Sequence, residues 1–209
     1  LGHTPLHAPE RGDGNHTQPV AFAGVVFRPG EWLYADEDGI VLGALPRRRR
    51  LVELGFHLST GEVTPKMLNG WLREHGYAIP RLGFAPLAGY LKGFIDLVFC
   101  HAGRYYVLDW KSNHLGYTPQ DFAQEQLEAA MDSAGYHLQY LLYTIAVHRW
   151  LQRRLPGYDY ERHFGGVHYL FVRGVRPHWA AAGIYARRPE LALVQELEAL
   201  FGIAQGELK

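Results

Sequence analysis

Two strand-like runs on either side of a tight turn, within residues 93–113, constrain the fold of this chain more than any other feature. Both runs are rich in β-branched and aromatic residues, which favour β-strands. Ala102-Gly103 has the length of a two-residue hairpin loop, so residues whose numbers add up to the same total should lie opposite each other. In that register Asp96 faces Asp109, with Cβ atoms roughly 4.5–5.5 Å apart. The sequence therefore predicts a β-hairpin that brings two acidic side chains together.

Lys111 lies two residues beyond Asp109 and should project from the same face of its strand, because side chains alternate along a strand. Two like charges opposite each other are destabilising unless a cation lies between them. The alternative interpretation is a solvated strand edge, on which Asp and Lys at this spacing are common. Against it, both acids lie in otherwise apolar runs, where an ionised carboxylate is costly unless it is paired or binds a metal. The pattern thus indicates a divalent-metal site with a cationic partner.

Four sequence blocks carry a resemblance to a known family. In order and spacing they resemble the signatures of RecB-type nuclease domains, a group within the PD-(D/E)xK nuclease superfamily. The similarity covers roughly residues 50–189 and places a RecB-like nuclease domain at residues 46–209. It implies an α/β fold, a restriction-endonuclease-like mixed β-sheet flanked by helices. The four blocks are Leu91–Phe99, Leu108–Asn113, Tyr136–Tyr143 and Tyr158–Val175.

The resemblance implies roles for the residues around the hairpin. Asp96 and Asp109 match the acidic ligands of a catalytic divalent ion, and the backbone carbonyl of Trp110 matches a third ligand. Lys111 matches the catalytic lysine, which stabilises charge on the attacked phosphate and contacts DNA. The implied cofactor is Mg²⁺, as one or two ions, with Mn²⁺ as a substitute. Hard oxygen ligands suit magnesium, which keeps several of its waters.

Three further residues match the family pattern. Glu53 corresponds to the acid of the preceding strand, although a chance acid in an alternating strand is the alternative. Gln139 and Tyr143 are four residues apart and share one helix face. In RecB-type domains this pair lies beside the active site and helps to position the DNA backbone. The alternative for Tyr143 is an ordinary core aromatic.

The implied function is that of a magnesium-dependent DNA exonuclease domain of a RecBCD-type helicase-nuclease, an exodeoxyribonuclease V type of hydrolase. Such an enzyme acts in DNA end processing and recombinational repair. The implied partners are DNA, RecC-like and RecD-like subunits and RecA, with no membrane partner. No Walker-type Gly-rich loop occurs in the chain, so these residues are not expected to drive unwinding with ATP.

The family's histidine ligand is the feature that the sequence does not match. RecB-type nucleases take it from a helix before the strand of Glu53, whereas His3, His7 and His16 lie in polar sequence rich in Pro and Gly. His57, four residues past Glu53, would share its face on a flat strand. Whether this chain alone is active therefore stays open. The alternative function is a catalytically impaired fragment that serves as a docking module for partner subunits or RecA.

Residues 1–45 do not fit the nuclease pattern and are expected to form a separate, partly disordered or β-hairpin segment. Residues 18–42 resemble the C-terminal end of RraA-like proteins, but the active-site segment of that family is absent from this chain. Asp36, Glu37 and Asp38 are therefore interpreted as a hairpin tip rather than a metal site. An RraA-like regulator that binds protein or RNA is a further alternative, although it needs a trimeric scaffold. A natural fusion, a gene-boundary artefact and an artificially recombined sequence all stay open.

Composition adds little about the substrate. The 209 residues include 21 Lys plus Arg and 21 Asp plus Glu, so no overall basic charge indicates a nucleic-acid partner. Local basic patches are expected from Arg47–Arg50 and from Arg149, Arg153 and Arg154, with a solvated surface as the alternative. A single cysteine, Cys100, excludes an internal disulfide framework and suits a cytoplasmic location. No apolar run approaches the ~18 residues of a membrane span.

Turn and cap residues predict the remaining elements. Thr118 is a suitable N-cap with Pro119 at the first helical position, and Pro156-Gly157 should end a long helix. The predicted strands are 51–58, 91–100, 104–111 and 166–172, and the predicted helices are 65–75, 118–133, 136–155 and 189–201.

Overall fold

The N-terminal part of the chain is described as backbone only. The computed structural model describes residues 20–22, 25–27, 32–36, 39–43, 50–176, 179 and 182–202, with side chains from residue 50 onward. Two antiparallel strand pairs lie before residue 50: β1 (Val20–Phe22) with β2 (Val25–Phe27), and β3 (Trp32–Asp36) with β4 (Gly39–Gly43). β3 and β4 pair as far as Asp36 opposite Gly39, next to the predicted hairpin tip, while Glu37 and Asp38 lie outside the described residues.

A five-stranded mixed sheet forms the framework of the rest of the chain. Its strands lie in sequence order, and neighbours are antiparallel except for the parallel pair formed by the third and fourth strands. This agrees with the α/β mixed sheet that the sequence predicted. The strands are β5 (Arg50–Val63), β6 (Leu87–His101), β7 (Arg104–Lys111), β8 (Phe164–Phe171) and β9 (Ile184–Arg187).

The β6–β7 hairpin has the predicted register. His101 pairs with Arg104, and the pairing continues to Leu97 opposite Leu108. Ala102 and Gly103 both have positive φ, 48° and 78°, as a type I′ turn requires. The loop length therefore set the register as expected, and the two acids lie one step beyond the last regular pair.

Helices form most of the crossover connection that joins the parallel strands β7 and β8. The longest, α3 (Tyr136–Arg154), packs against β5, β7 and β8, as well as against the last helix. The first helix begins after Thr64, whose hydroxyl accepts a hydrogen bond from the Met67 amide at 3.3 Å, with Pro65 at the first position. The helices are α1 (Pro65–Glu74), α2 (Gln124–Ser133), α3 (Tyr136–Arg154), α4 (Tyr160–His163) and α5 (Leu191–Leu200).

The predicted helix 118–133 is wrong as a single element. A 3-10 helix, Pro119–Phe122, is followed by Ala123 in an extended conformation before α2 begins. The Asp121 carboxylate accepts hydrogen bonds from the amides of Tyr117 and Thr118, which closes a separate turn. The Phe122 carbonyl accepts a hydrogen bond from a distant amide, that of Gly183, at 3.0 Å. Local capping and this tertiary contact together bend the chain and bury Phe122.

Smaller differences concern element ends and short elements. β5 and β6 extend beyond their predicted bounds, and β8 begins at Phe164 and ends before a 3-10 turn, Val172–Gly174. α4 and β9 were not predicted. None of the helices among the described residues is long and apolar enough to cross a membrane.

The core lies between α3 and the sheet. α3 is buried along much of its length, because it has the sheet on one side and α2 and α5 beside it. One predicted surface cation belongs to this interior: Arg149 is buried and its Nη1 lies 3.4 Å from Glu198 Oε1 of α5. The prediction of a patch that includes Arg149 is therefore wrong, while Arg153 and Arg154 are exposed. Arg47–Arg49 lie outside the described residues.

Candidate active site

Asp96 and Asp109 meet where β6 and β7 separate. Asp109 is only 2% exposed, and Asp96 is half-buried. The Trp110 backbone amide donates a hydrogen bond to Asp96 Oδ2 at 3.0 Å, so this carboxylate takes the place of a main-chain acceptor beyond the last regular pair. Trp110 thus contacts the site through its N–H, and its carbonyl stays a predicted ligand.

Both carboxyl groups hold their protons more tightly than usual. Burial, followed by the charge of Asp96, raises the pKa of Asp109 to about 6. Burial also raises the pKa of Asp96, although the Trp110 amide and the Lys111 ammonium oppose that rise. Like charges that lie opposite each other, which the sequence predicted for this pair, favour the protonated carboxyl and raise its pKa. The rise is present, but loss of hydration is its larger cause.

Lys111 lies directly beside these acids. It is 8% exposed, and its Nζ lies 2.5 Å from Asp109 Oδ1. The same nitrogen donates a hydrogen bond to Gln139 Oε1 at 2.9 Å. The contact between Lys111 and Asp109 is an ion pair, and Asp109 Oδ1 is buried and accepts no other hydrogen bond. That oxygen therefore keeps lone pairs that a further cation could use.

Gln139 and Tyr143 lie against this lysine. Gln139 Oε1 accepts from both Lys111 Nζ and, at 3.1 Å, the Tyr169 hydroxyl, while its Nε2 donates to the Tyr143 hydroxyl at 2.9 Å. Tyr143 also packs edge-on against Phe56 at 5.9 Å between ring centroids. The predicted pair thus reaches the site, and Tyr143 is part of the core as well.

Glu53 lies on β5, the strand that flanks β6 on the side away from β7. Val52 pairs with Leu97 and Leu54 with Ile95, so Glu53 is opposite Asp96 in the β5–β6 register. Its φ of 52° departs from strand geometry, and its side chain is exposed. The charge of Glu53 contributes to the raised pKa of Asp96, which places the two groups in electrostatic range.

The donor set fits a hard divalent cation. It offers two carboxylates, and one of their oxygens, Asp109 Oδ1, is buried with the Lys111 ammonium beside it. Oxygen ligands of this kind suit an ion that keeps several waters. Among residues 50–176, 179 and 182–202, no three His, Cys, Asp or Glu side chains form a ready ligand group. His57 is exposed opposite Lys92, and His3, His7 and His16 lie outside the described residues.

Two aromatic residues at the site had no predicted role. Lys111 Nζ lies 3.9 Å from the ring centroid of Tyr136 and 5.0 Å from that of Tyr169. Tyr136 precedes Gln139 by three residues on α3, a spacing that could have identified it. Tyr169 is brought to the site by the parallel pairing of Asp109 with Tyr169, which depends on the crossover and has no local signal.

Comparison with known families gives two matches. Residues 35–204 match the family model described as the PD-(D/E)XK nuclease superfamily, which is more than half of the chain. Residues 1–42 match the family described as Aldolase/RraA.

Several curated proteins are similar to the chain. RecBCD enzyme subunit RecB of Escherichia coli (strain K12) is 43% identical over 181 residues, which cover 82% of this chain and 15% of that protein. The subunit of the same name from Haemophilus influenzae is 41% identical over 169 residues, 80% of this chain and 14% of that protein. The one from Mycobacterium tuberculosis (strain ATCC 25618 / H37Rv) is 47% identical over 126 residues, 57% of this chain and 12% of that protein. The chain thus spans about 15% of the length of the first of these relatives.

Proposed function

The chain belongs to the PD-(D/E)XK nuclease superfamily, and from this membership we propose that it acts as a metal-dependent DNA exonuclease domain of the RecB type. The observation that carries the proposal is the group formed by Asp96 and the buried Asp109 and Lys111, in which an ion pair and a carboxyl with a pKa of about 6 lie where the two strands of the hairpin separate. Strongly perturbed carboxyl groups of this kind are typical of functional sites.

Each residue has a chemical task in this proposal. Hydrolysis joins a water oxygen to phosphorus, breaks a P–O bond to the sugar and leaves a proton on the departing oxygen. A bound divalent cation would supply Lewis-acid stabilisation of the phosphate and a more acidic water. Asp96, Asp109 and the Trp110 carbonyl would hold that cation. Lys111 would stabilise negative charge on the attacked phosphate, while Gln139, which contacts Lys111, and Tyr143, which contacts Gln139, would help to position the DNA backbone.

The identity of the metal ion, the partners, the location and the domain bounds are part of the same proposal. Magnesium is the expected ion, with manganese as a substitute. The expected partners are DNA, RecC-like and RecD-like subunits and RecA, in the cytoplasm, with the domain at residues 46–209. Glu53 would contribute charge near Asp96. The relatives from Escherichia coli and Haemophilus influenzae are subunits of the RecBCD enzyme, and this suggests these partners.

Degradation of linear DNA by the purified chain tests the proposal. Cleavage with added magnesium that stops with EDTA is expected, and Lys111→Met should remove it. The matched control is Lys66→Met, the same substitution at an exposed lysine of α1. Cleavage that persists in Lys111→Met, or that is lost equally in the control, would contradict the assignment.

An exposed aromatic surface favours a docking role as the second candidate. Tyr90 and Phe94 of β6 are 74% and 69% exposed, although large aromatic side chains usually bury most of their surface. The double substitution of both residues by alanine should weaken binding to RecC-like or RecD-like subunits and leave DNA cleavage unchanged. Unchanged binding would remove this candidate.

A further inference from the structure

The ammonium of Lys111 lies against two aromatic rings as well as beside the acids. Its Nζ is 3.9 Å from the Tyr136 centroid and 5.0 Å from the Tyr169 centroid, both within the range of a cation–π interaction. We propose that Tyr136 and Tyr169 are positioning residues that hold this ammonium for its task at the phosphate, an inference that rests on the proposed nuclease function. We call the two rings the aromatic clamp.

The aromatic clamp is useful because the Asp109 carboxylate competes with a substrate phosphate for the Lys111 ammonium. Asp109 Oδ1 lies 2.5 Å from Nζ, and a lysine side chain has four flexible carbons that could follow it. A ring face attracts a cation without accepting one of its hydrogen bonds in the manner of a carboxylate. Nζ has three protons, and Gln139 takes one of them at 2.9 Å. The rings thus hold the ammonium and leave it able to donate to a substrate.

The two rings are themselves held in place by their hydroxyl groups. The Tyr136 hydroxyl donates to Asn113 Oδ1 at 3.2 Å, and the Tyr169 hydroxyl donates to Gln139 Oε1 at 3.1 Å. Their centroids are 6.0 Å apart. Tyr169 is fully buried and lies opposite Asp109 in the β7–β8 register. Each ring is therefore fixed by a second contact that does not involve the lysine.

Substitution of Tyr136 separates the ring face from the hydroxyl group. Tyr136→Phe keeps the ring and loses the bond to Asn113, whereas Tyr136→Leu keeps an apolar side chain and loses the ring. We expect Tyr136→Leu to lower kcat by about tenfold with KM for DNA nearly unchanged, and Tyr136→Phe to lower it by less than about threefold. Equal kcat for the two variants, or an effect on KM alone, would overturn the clamp.

A measurement without catalysis separates failure of the clamp from failure of the nuclease proposal. Ring currents should shift the proton NMR signals of the Lys111 methylene next to Nζ upfield in the full chain with EDTA. The shift should persist in Tyr136→Phe and shrink in Tyr136→Leu. A shift that is the same in both variants would overturn the clamp whether or not the chain cleaves DNA.

A graded series covers the case in which the leucine variant does not fold. Replacing Tyr136 by phenylalanine with increasing ring fluorination keeps the shape and weakens the negative ring face. A stepwise fall of kcat along the series, or a stepwise change of the Lys111 signals when the chain has no cleavage activity, would support the clamp. No trend in either would overturn it.

Discussion

Opposing electrostatic effects meet at Asp109. Burial and the charge of Asp96 favour the protonated carboxyl and raise its pKa to about 6, while the Lys111 ammonium favours the carboxylate. A carboxyl whose pKa is higher in the folded than in the unfolded state lowers stability as pH rises between the two values, because the folded protein must release a proton that it holds more tightly. Without a metal ion, Asp109 therefore costs stability at neutral pH, which is the expected price of a ligand kept out of water.

Asp109→Asn should separate this cost from the chemistry. Between pH 3.8 and 6 the wild-type chain in EDTA should lose up to about 3 kcal/mol from this group, and the variant should lack that part of the pH dependence. Its stability at pH 8 should equal or exceed that of the wild type, while magnesium-dependent cleavage is lost. Urea unfolding at several pH values measures the first effect. Unfolding of the variant at pH 8 would instead identify Asp109 as structural.

Lys111→Met should have the opposite effect on stability. It removes the cation from a buried place that holds two carboxylates, and breaking a buried pair typically costs about 3 kcal/mol or more. The loss should be smaller at pH 5, because Asp109 is protonated below its pKa. Urea unfolding in EDTA at pH 8 and pH 5 checks both statements. Lys66→Met, at an exposed position, should change stability by less than about 0.5 kcal/mol, and an equal loss in this control would contradict the explanation.

The junction of β8, β9 and the turn before α2 depends on one glycine. The Gly183 amide donates to the Phe122 carbonyl at 3.0 Å, and its own carbonyl accepts from the Phe171 amide at 2.8 Å. Its φ is +74°, and an added Cβ would lie 2.7 Å from the carbonyl carbon of Gly174 and 2.8 Å from the Phe171 oxygen. Both obstacles are backbone atoms, so the contact cannot be relieved by a side-chain rotation.

Gly183→Ala should therefore lower the free energy of unfolding by more than about 2 kcal/mol. Gly157→Ala is the matched control, because its φ is +69° and no heavy atom lies within 4 Å of the added Cβ. It should lower the free energy of unfolding by only about 1 kcal/mol, because only the backbone conformation is unfavourable for alanine there. Thermal or urea unfolding of both variants gives the comparison, and similar losses would refute the role assigned to the junction.

The elements differ in how far local sequence determined them. Loop length and alternation gave the β6–β7 register, because a two-residue loop leaves few alternatives. The prediction of one helix over 118–133 was wrong because the Phe122 carbonyl accepts a hydrogen bond from the Gly183 amide. Gly183 is more than 60 residues from Thr118, so no local sequence pattern contains that contact. Tyr169 reaches the site for a similar reason, through the parallel β7–β8 register. The acids and the lysine were predictable because they share one hairpin.

Different parts of the chain match two families: residues 35–204 match the PD-(D/E)XK nuclease superfamily, and residues 1–42 match Aldolase/RraA. The five-stranded sheet and α3 place the two acids, Lys111 and Gln139 together, which is the arrangement that the proposed site requires. Among the residues that the structure describes, no third His, Cys, Asp or Glu completes a metal-ligand group with these acids. The affinity for a metal ion should therefore depend strongly on further ligands besides Asp96 and Asp109.

We expect weak magnesium binding and weak cleavage by this chain alone. Loss of a ligand or of its support typically lowers metal affinity by at least tenfold. Protons compete as well, because metal ligands must be deprotonated, so binding should weaken as pH falls below the Asp109 pKa of about 6. Calorimetric titration with magnesium at pH 8 and pH 5.5 measures both effects. High magnesium or added manganese should partly restore cleavage.

Joining a histidine-bearing helix of the RecB type before β5 should restore cleavage at lower magnesium, and the same helix with alanine in place of that histidine is its control. If the histidine supplies the missing ligand, only the first fusion should bind magnesium more tightly than the chain alone. Robust cleavage at low magnesium by the present chain would contradict this expectation. Loss of that cleavage in His57→Ala or Glu53→Gln would then identify the local group that completes the site, since both side chains are exposed on β5 and Glu53 lies opposite Asp96.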